Sequence, residues 1–147
     1  EQSDWHKPDK DRWVETIVSA AKSTDRPVFI IAHGLGAIAL AHAADQLSEA
    51  NVVGAFLVAV PDLASAEHLI PEASQFQPLP NAPLPFPSLM VASRNDPYCI
   101  YEKAEGAALD LGSLLIDAGD HGHINHDSGH GPWPEGLMAL SKFLNRI

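Results

Sequence analysis

Residues 28–36, Val-Phe-Ile-Ile-Ala-His-Gly-Leu-Gly, constrain the fold of this chain more than any other segment. The apolar run predicts a buried strand, and the glycines that follow predict a sharp turn into a helix. This strand–turn–helix pattern is typical of a nucleophile elbow, the corner at which a serine hydroxyl projects above a sheet. Gly34 stands at the tip of the corner and has no hydroxyl. The pattern therefore predicts a fold, and also predicts that ordinary nucleophilic catalysis is lost.

The composition is that of a globular protein. A chain of 147 residues predicts one domain over 1–147, with hydrophobic residues at 46% and charged residues at 19%. The net charge of −10 repels nucleic acid and anionic membranes, so neither is expected as a partner. Cys99 is the single cysteine, which excludes an internal disulfide and predicts a reducing, cytoplasmic location. The sequence has no apolar run of membrane-spanning length.

Apolar periodicity predicts strands that alternate with helices. Such strands suit a parallel sheet covered on both faces, so the predicted fold class is α/β with a doubly wound parallel sheet. An early strand and helix of such a fold are missing from the pattern, so we expect either a trimmed chain or a partner that completes the sheet. Self-association through an open edge is a further expectation. The predicted strands are 28–32, 52–60, 88–92 and 113–117, and the predicted helices are 11–23, 35–47 and one from about residue 135.

Residues 71–87 are too rich in proline to form a regular element. Two interpretations of this segment stay open. It is either an irregular crossing or lid that shapes a pocket, or a surface loop without a role.

Three predicted strand ends carry residues with suggestive chemistry. Gly34 follows the first strand, Asp96 the third and His123 the fourth. Functional groups of open α/β sheets gather at the carboxyl ends of the strands, and nucleophile, acid, histidine is the chain order of an α/β-hydrolase triad. The imidazole takes a proton from the nucleophile while the carboxylate fixes its tautomer. Leu35, directly after the corner, would offer its backbone N–H to an oxyanion.

Longer segments around these positions resemble the small serine hydrolases of the YdeN and retinoblastoma-binding-protein type, an α/β-hydrolase family. The resemblance implies hydrolysis of carboxyl esters or related acyl bonds without a cofactor or metal, with Asp96 as the triad acid and His123 as the base. The family carries serine where this chain has Gly34, which implies very weak or absent hydrolysis. The matching segments are Asp4-Trp5 with Pro8, Ala-His-Gly-Leu-Gly at 32–36, Val-Ala-Ser-Arg-Asn-Asp-Pro-Tyr at 91–98, Gly-His-Ile-Asn at 122–125 and Ser-Gly-His-Gly-Pro-Trp-Pro-Glu-Gly at 128–136.

A small acyl or ester substrate needs a pocket, and three further residues are candidates for lining it. They are His33, Tyr98 and Trp133. With Gly34 in place of serine, a water molecule activated by His123 could still give slow direct hydrolysis.

Other functions are compatible with the same residues. Gly34-Leu35-Gly36 begins a G-x-G-x-x-A pattern between a strand and a helix, as in dinucleotide-binding proteins, with Asp62 as the candidate ribose ligand. The run His-Gly-His-Ile-Asn-His-Asp at 121–127 is close to a metallo-hydrolase pattern, although Asn125 stands where an aspartate belongs. A degenerate hydrolase kept as a binding or scaffold protein is the third alternative, and Gly34 is its best evidence.

Overall fold

A parallel sheet of four strands forms the centre of the fold. The computed structural model describes residue 2, residues 4–66 and residues 71–147. The strands lie side by side in chain order, which confirms the predicted parallel α/β sheet. They are β1 (Val28–His33), β2 (Val52–Val58), β3 (Ser88–Ala92) and β4 (Leu114–Asp117).

Helices cover the two faces of this sheet unequally. Right-handed crossovers that all step in one direction place their helices on one face. That face carries α1 and α2 as well as α4, whereas α5 is the one helix on the other face among the described residues. No helix in the described ranges is both long and apolar enough to cross a bilayer. The helices are α1 (Lys10–Lys22), α2 (Leu35–Ala43), α3 (Leu63–Ala66), α4 (Tyr101–Asp110) and α5 (Pro134–Leu144).

The two central strands are buried on both faces. Leu57 and Met90 point to the core half beneath α1 and α2, whereas Phe56 and Val91 point to the half beneath α5. All four are buried. Burial on both faces explains why these strands read as continuous apolar runs without alternation.

Several element boundaries differ from the sequence prediction. β2 ends at Val58 because Ala59 adopts a φ of 52°, which interrupts the extended backbone. The end of the predicted helix over 35–47 is a 3₁₀ turn, Ala44–Leu47. The prediction also missed α4, whose buried residues are two alanines, Ala104 and Ala108, too small to give a clear apolar period.

The proline-rich segment is partly regular, so the prediction that it holds no regular element is wrong. Pro71–Phe76 forms a 3₁₀ helix, in which a proline is tolerated at the start because its missing N–H would have no partner. Phe76 is fully buried and packs edge-on against Trp13 with ring centroids 5.7 Å apart. Its carbonyl oxygen accepts a hydrogen bond from His42 Nε2 at 2.6 Å. The segment therefore closes the core beneath α1 and α2.

Candidate active site

The predicted sharp turn lies at the junction of β1 and α2. Gly34 has φ of 56° and ψ of −129°, a conformation that strains any residue with a Cβ. Its N–H donates to the carbonyl oxygen of Val58 at 2.9 Å, which ties the corner to the end of β2. Leu35 is the first residue of α2, so its N–H has no partner within the helix and lies at the positive end of the helix dipole.

Asp96 and His123 form a buried pair beside this corner. Nδ1 of His123 lies 2.9 Å from Oδ2 and 3.0 Å from Oδ1 of Asp96. The side chain of Asp96 is 3% exposed and that of His123 is 13% exposed, so water competes little for the bond. Oδ1 of Asp96 also accepts the N–H of Tyr98 at 2.9 Å. A carboxylate at Nδ1 favours the tautomer protonated there, which leaves Nε2 as the acceptor.

The free nitrogen of His123 points to the corner. A Cβ built on Gly34 would lie 3.3 Å from Nε2 and 3.9 Å from Cε1 of His123. A serine side chain at this position would reach Nε2 after a shift of a few tenths of an ångström. The structure therefore brings together Gly34, Asp96 and His123, which lie on three separate loops.

His33, the residue before the corner, supports His123 from the other side. The two imidazole rings meet edge to face with centroids 4.8 Å apart. Nε2 of His33 donates to the backbone carbonyl oxygen of His123 at 2.8 Å. Partial burial of the ring is the largest influence on the pKa of His33 and lowers it below its ordinary value. A neutral ring that donates from Nε2 is consistent with both observations.

Sequence reasoning missed two side chains that contact the loop carrying His123. Ser93 is 1% exposed, and its Oγ accepts the N–H of His121 at 2.9 Å. Oδ1 of Asn95 accepts the N–H of Gly122 at 2.7 Å. The sequence did offer one signal for these residues, because Ser93 and Asn95 are small polar residues that lie between a predicted strand and the candidate acid Asp96.

A cavity of about 450 Å³ lies beside the site, between α5 and the β1–β2 side of the sheet. His33 and Trp133 line it, together with Phe56 and Ile124. Its walls are mostly apolar side chains, which suits an apolar ligand group.

The expected pocket residues do not all meet at this cavity. Tyr98 instead packs on His123, with ring centroids 4.5 Å apart. Among the described residues, none of 71–87 lines this cavity, because Phe76 packs on the α1 and α2 face whereas the cavity lies on the α5 face. Residues 77–79 line a different cavity, beside Asp62 and Cys99, so a pocket shaped in part by this segment stays a prediction.

Neither alternative motif gains support from the geometry. Within the described ranges, no group of three or more histidine, cysteine, aspartate or glutamate side chains is arranged to hold a metal ion. Dinucleotides bind where the strand order of a sheet reverses, and the four described strands follow one another in chain order without a reversal.

Cys99 does not offer a replacement nucleophile. Burial, followed by the charges of Asp62 and Asp96, raises the pKa of its thiol to about 11.

Comparisons with known proteins agree with this geometry. The family model described as serine hydrolase matches residues 1–142. A solved structure described as a YdeN-like hydrolase from Pectobacterium atrosepticum is 34% identical, with a TM-score of 0.82. That match covers 97% of this chain and 73% of the other chain.

More distant structures share the fold. The ydeN gene product from B. subtilis is 18% identical with a TM-score of 0.74, and the match covers 95% of this chain and 77% of that one. Acyl-protein thioesterase 2 from Zea mays is 15% identical with a TM-score of 0.61, and the match covers 99% of this chain and 69% of that one. The comparison with curated proteins found no match.

Proposed function

Because this chain belongs to the serine hydrolase family, we propose that it is a degenerate member that binds small esters or related acyl compounds and hydrolyses them very weakly or not at all. Its α/β-hydrolase fold and its membership of a small serine hydrolase family confirm the resemblance seen in the sequence. The observation that carries the proposal is the 3.3 Å between a Cβ at residue 34 and Nε2 of His123.

In this proposal Asp96 is the acid, His123 is the base and Gly34 stands at the nucleophile position. The backbone N–H of Leu35 is the oxyanion donor, because it lies free at the start of α2. His33 and Trp133 border the acyl-binding cavity, and Tyr98 packs on the base. No metal or cofactor takes part in this chemistry.

The absence of a hydroxyl at residue 34 prevents formation of an acyl-enzyme. Removal of the nucleophile from a serine protease lowers kcat by on the order of a millionfold, while about a thousandfold acceleration over water survives. The surviving route here is direct attack by water, with its proton taken by Nε2 of His123. Hydrolysis by the chain should therefore be slow and should depend on His123.

Restoring the hydroxyl tests this proposal. Gly34→Ser should raise the rate of p-nitrophenyl acetate hydrolysis by about a thousandfold or more. The matched control is the double variant Gly34→Ser with His123→Ala, which keeps the new hydroxyl but has no base. A serine variant that hydrolyses the ester no faster than the unaltered chain overturns the assignment of the triad.

A binding or scaffold role without turnover is the second candidate. The apolar cavity beside α5 favours it, because that cavity does not depend on a nucleophile. In this case the serine variant gains little activity, while an apolar ester still binds near Trp133. The gain in esterase activity on Gly34→Ser separates the two candidates, while quenching of tryptophan fluorescence by a non-hydrolysable ester analogue measures the binding that both require.

A partner strand at the free edge of β1 is part of the proposal. Among the described strands, β1 pairs with β2 alone, and Ile31 in the middle of β1 is 62% exposed. Cavities lie on both sides of this edge, and Ile31 lines both of them. An added strand would pair with β1 through its backbone and cover Ile31. A cytoplasmic location is proposed because the single cysteine needs no oxidising compartment.

A further inference from the structure

We propose that Ser93 and Asn95 are positioning residues that hold His123 between Asp96 and Gly34. The inference rests on the proposed function for the role of His123 as a base. It goes further by assigning the geometry of the site to two side chains that touch neither the substrate nor the imidazole. We call residues 118–124 the histidine loop.

Three residues of the histidine loop have a positive φ. Gly119 and Gly122 have φ of 78° and 57°, and Ile124 has φ of 49°. A positive φ is unfavourable for a β-branched residue such as isoleucine. Such a conformation persists only where surrounding groups hold it in place, so the contacts made by the loop decide the position of His123.

Ser93 holds the first part of the histidine loop. Its Oγ accepts the N–H of His121 at 2.9 Å, and its single proton lies within reach of the carbonyl oxygen of Gly119 at 3.1 Å and of Oδ1 of Asn95 at 2.9 Å. The residue is 1% exposed, so water cannot replace these bonds.

Asn95 joins the backbone next to the acid to the backbone next to the base. Its Oδ1 accepts the N–H of Gly122 at 2.7 Å. Asn95 precedes Asp96 in the chain, and Gly122 precedes His123. One hydrogen bond therefore fixes the backbone beside the carboxylate relative to the backbone beside the imidazole, so its loss should let the ring move away from both Asp96 and Gly34.

Four variants separate positioning from general support of the fold. Asn95→Leu removes the acceptor, whereas Asn95→Asp keeps an oxygen at the same place for both donors. Arg94→Ala is the matched control, because the Arg94 side chain lies on the same loop but binds Asp117 instead, at 2.7 Å. Ser93→Ala provides a second test should Asn95→Leu not fold.

The first readout is kinetic and uses Gly34→Ser as the parent. Since a displacement of about 1 Å costs on the order of a hundredfold in rate, Asn95→Leu should lower kcat about a hundredfold and leave KM unchanged. Asn95→Asp and Arg94→Ala should keep most of the parent's kcat. An unchanged kcat in both Asn95→Leu and Ser93→Ala overturns the proposal.

The second readout needs no catalysis and uses the chain with Gly34. The Nδ1 proton between His123 and Asp96 should give a low-field proton NMR signal. Asn95→Leu should abolish or shift this signal, whereas Asn95→Asp and Arg94→Ala should preserve it. If the serine variant is inactive while Asn95→Leu alone loses the signal, the proposed function fails and the positioning role stands. If Asn95→Leu keeps the signal, the positioning role fails.

Discussion

Both the backbone conformation and the surroundings of residue 34 favour glycine over a residue with a Cβ. Its φ of 56° favours a residue without a Cβ, and the ring of His123 lies within 3.3 Å of the place where that Cβ would be. A serine here would gain a base but would also take on backbone strain, as nucleophile elbows do. Glycine at this position avoids the backbone strain but also lacks the hydroxyl that nucleophilic catalysis requires.

We therefore expect Gly34→Ala to destabilise the fold. The methyl group adds strain of about 1–3 kcal/mol at a positive φ, and it crowds His123 without adding a hydroxyl. The matched control is Gly36→Ala, two residues further into α2, where a Cβ would meet nothing within 4 Å. That change should raise the free energy of unfolding by about 0.5–1 kcal/mol, because alanine favours a helix over glycine. Urea unfolding of both variants measures the contrast, and equal effects would contradict the strain at the corner.

At the level of elements, the start of α5 forms the outer wall of the cavity. The ring of Trp133 lies over Gly136, where any Cβ would overlap it. Trp133 also packs near Phe56 of β2, with ring centroids 6.3 Å apart. The close approach of Trp133 to Gly136 thus lets one aromatic side chain join α5 to the sheet.

Gly136→Ala should push Trp133 out of this position. Overpacking of a well-packed site costs about 1–3 kcal/mol, and the displaced ring should become more exposed, with a red-shifted fluorescence emission. Gly131→Ala is the control, since a Cβ at that position would meet nothing within 4 Å. Emission and stability of Gly136→Ala equal to those of the control would show that the ring does not depend on Gly136.

The elements that the sequence predicted best are those whose signal is local. Strong apolar runs predicted all four strands, and the order of Gly34, Asp96 and His123 predicted which loops would meet. The sequence analysis missed α4 because its buried alanines give only a weak apolar periodicity. It missed the 3₁₀ helix Pro71–Phe76 because the prolines of 71–87 suggested only irregular backbone. The bonds from Ser93 and Asn95 to the histidine loop were missed because their partners are backbone N–H groups, which carry no residue-type signal of the kind that Asp96 and His123 carry. The contact of Tyr98 with His123 was missed as well, since its orientation depends on how the Asp96 loop packs on His123.

For the whole molecule, the main consequence of the strand order is that helices cover one face of the sheet more completely than the other. The crossovers between the described strands step in one direction and place α2 and α4 on one face, where α1 also packs, and the described part of the other face carries α5 alone. Parallel sheets are stable when both faces and both edges are covered. At the β1 edge an added strand would cover the exposed Ile31.

Ile31→Lys tests this edge. A charge in the middle of an open strand opposes pairing with a further strand, so association of the unaltered chain at high concentration should be reduced in the variant. The exposed Leu109 of α4, 81% exposed and distant from β1, offers a control in Leu109→Lys. Sedimentation velocity over a range of concentrations measures both variants. Association that survives Ile31→Lys, or that Leu109→Lys reduces equally, would place the contact elsewhere.

Covalent labelling most directly tests whether a carboxylate, an imidazole and residue 34 act together. A fluorophosphonate reacts with a serine hydroxyl only when a base activates it, and mass spectrometry detects the adduct on residue 34. The Gly34→Ser variant should be labelled rapidly, while the unaltered chain and the Gly34→Ser variants with His123→Ala or Asp96→Asn should be labelled slowly or not at all. A serine at residue 34 that stays unlabelled, or that reacts equally well without His123, would contradict the convergence of these three residues into one site.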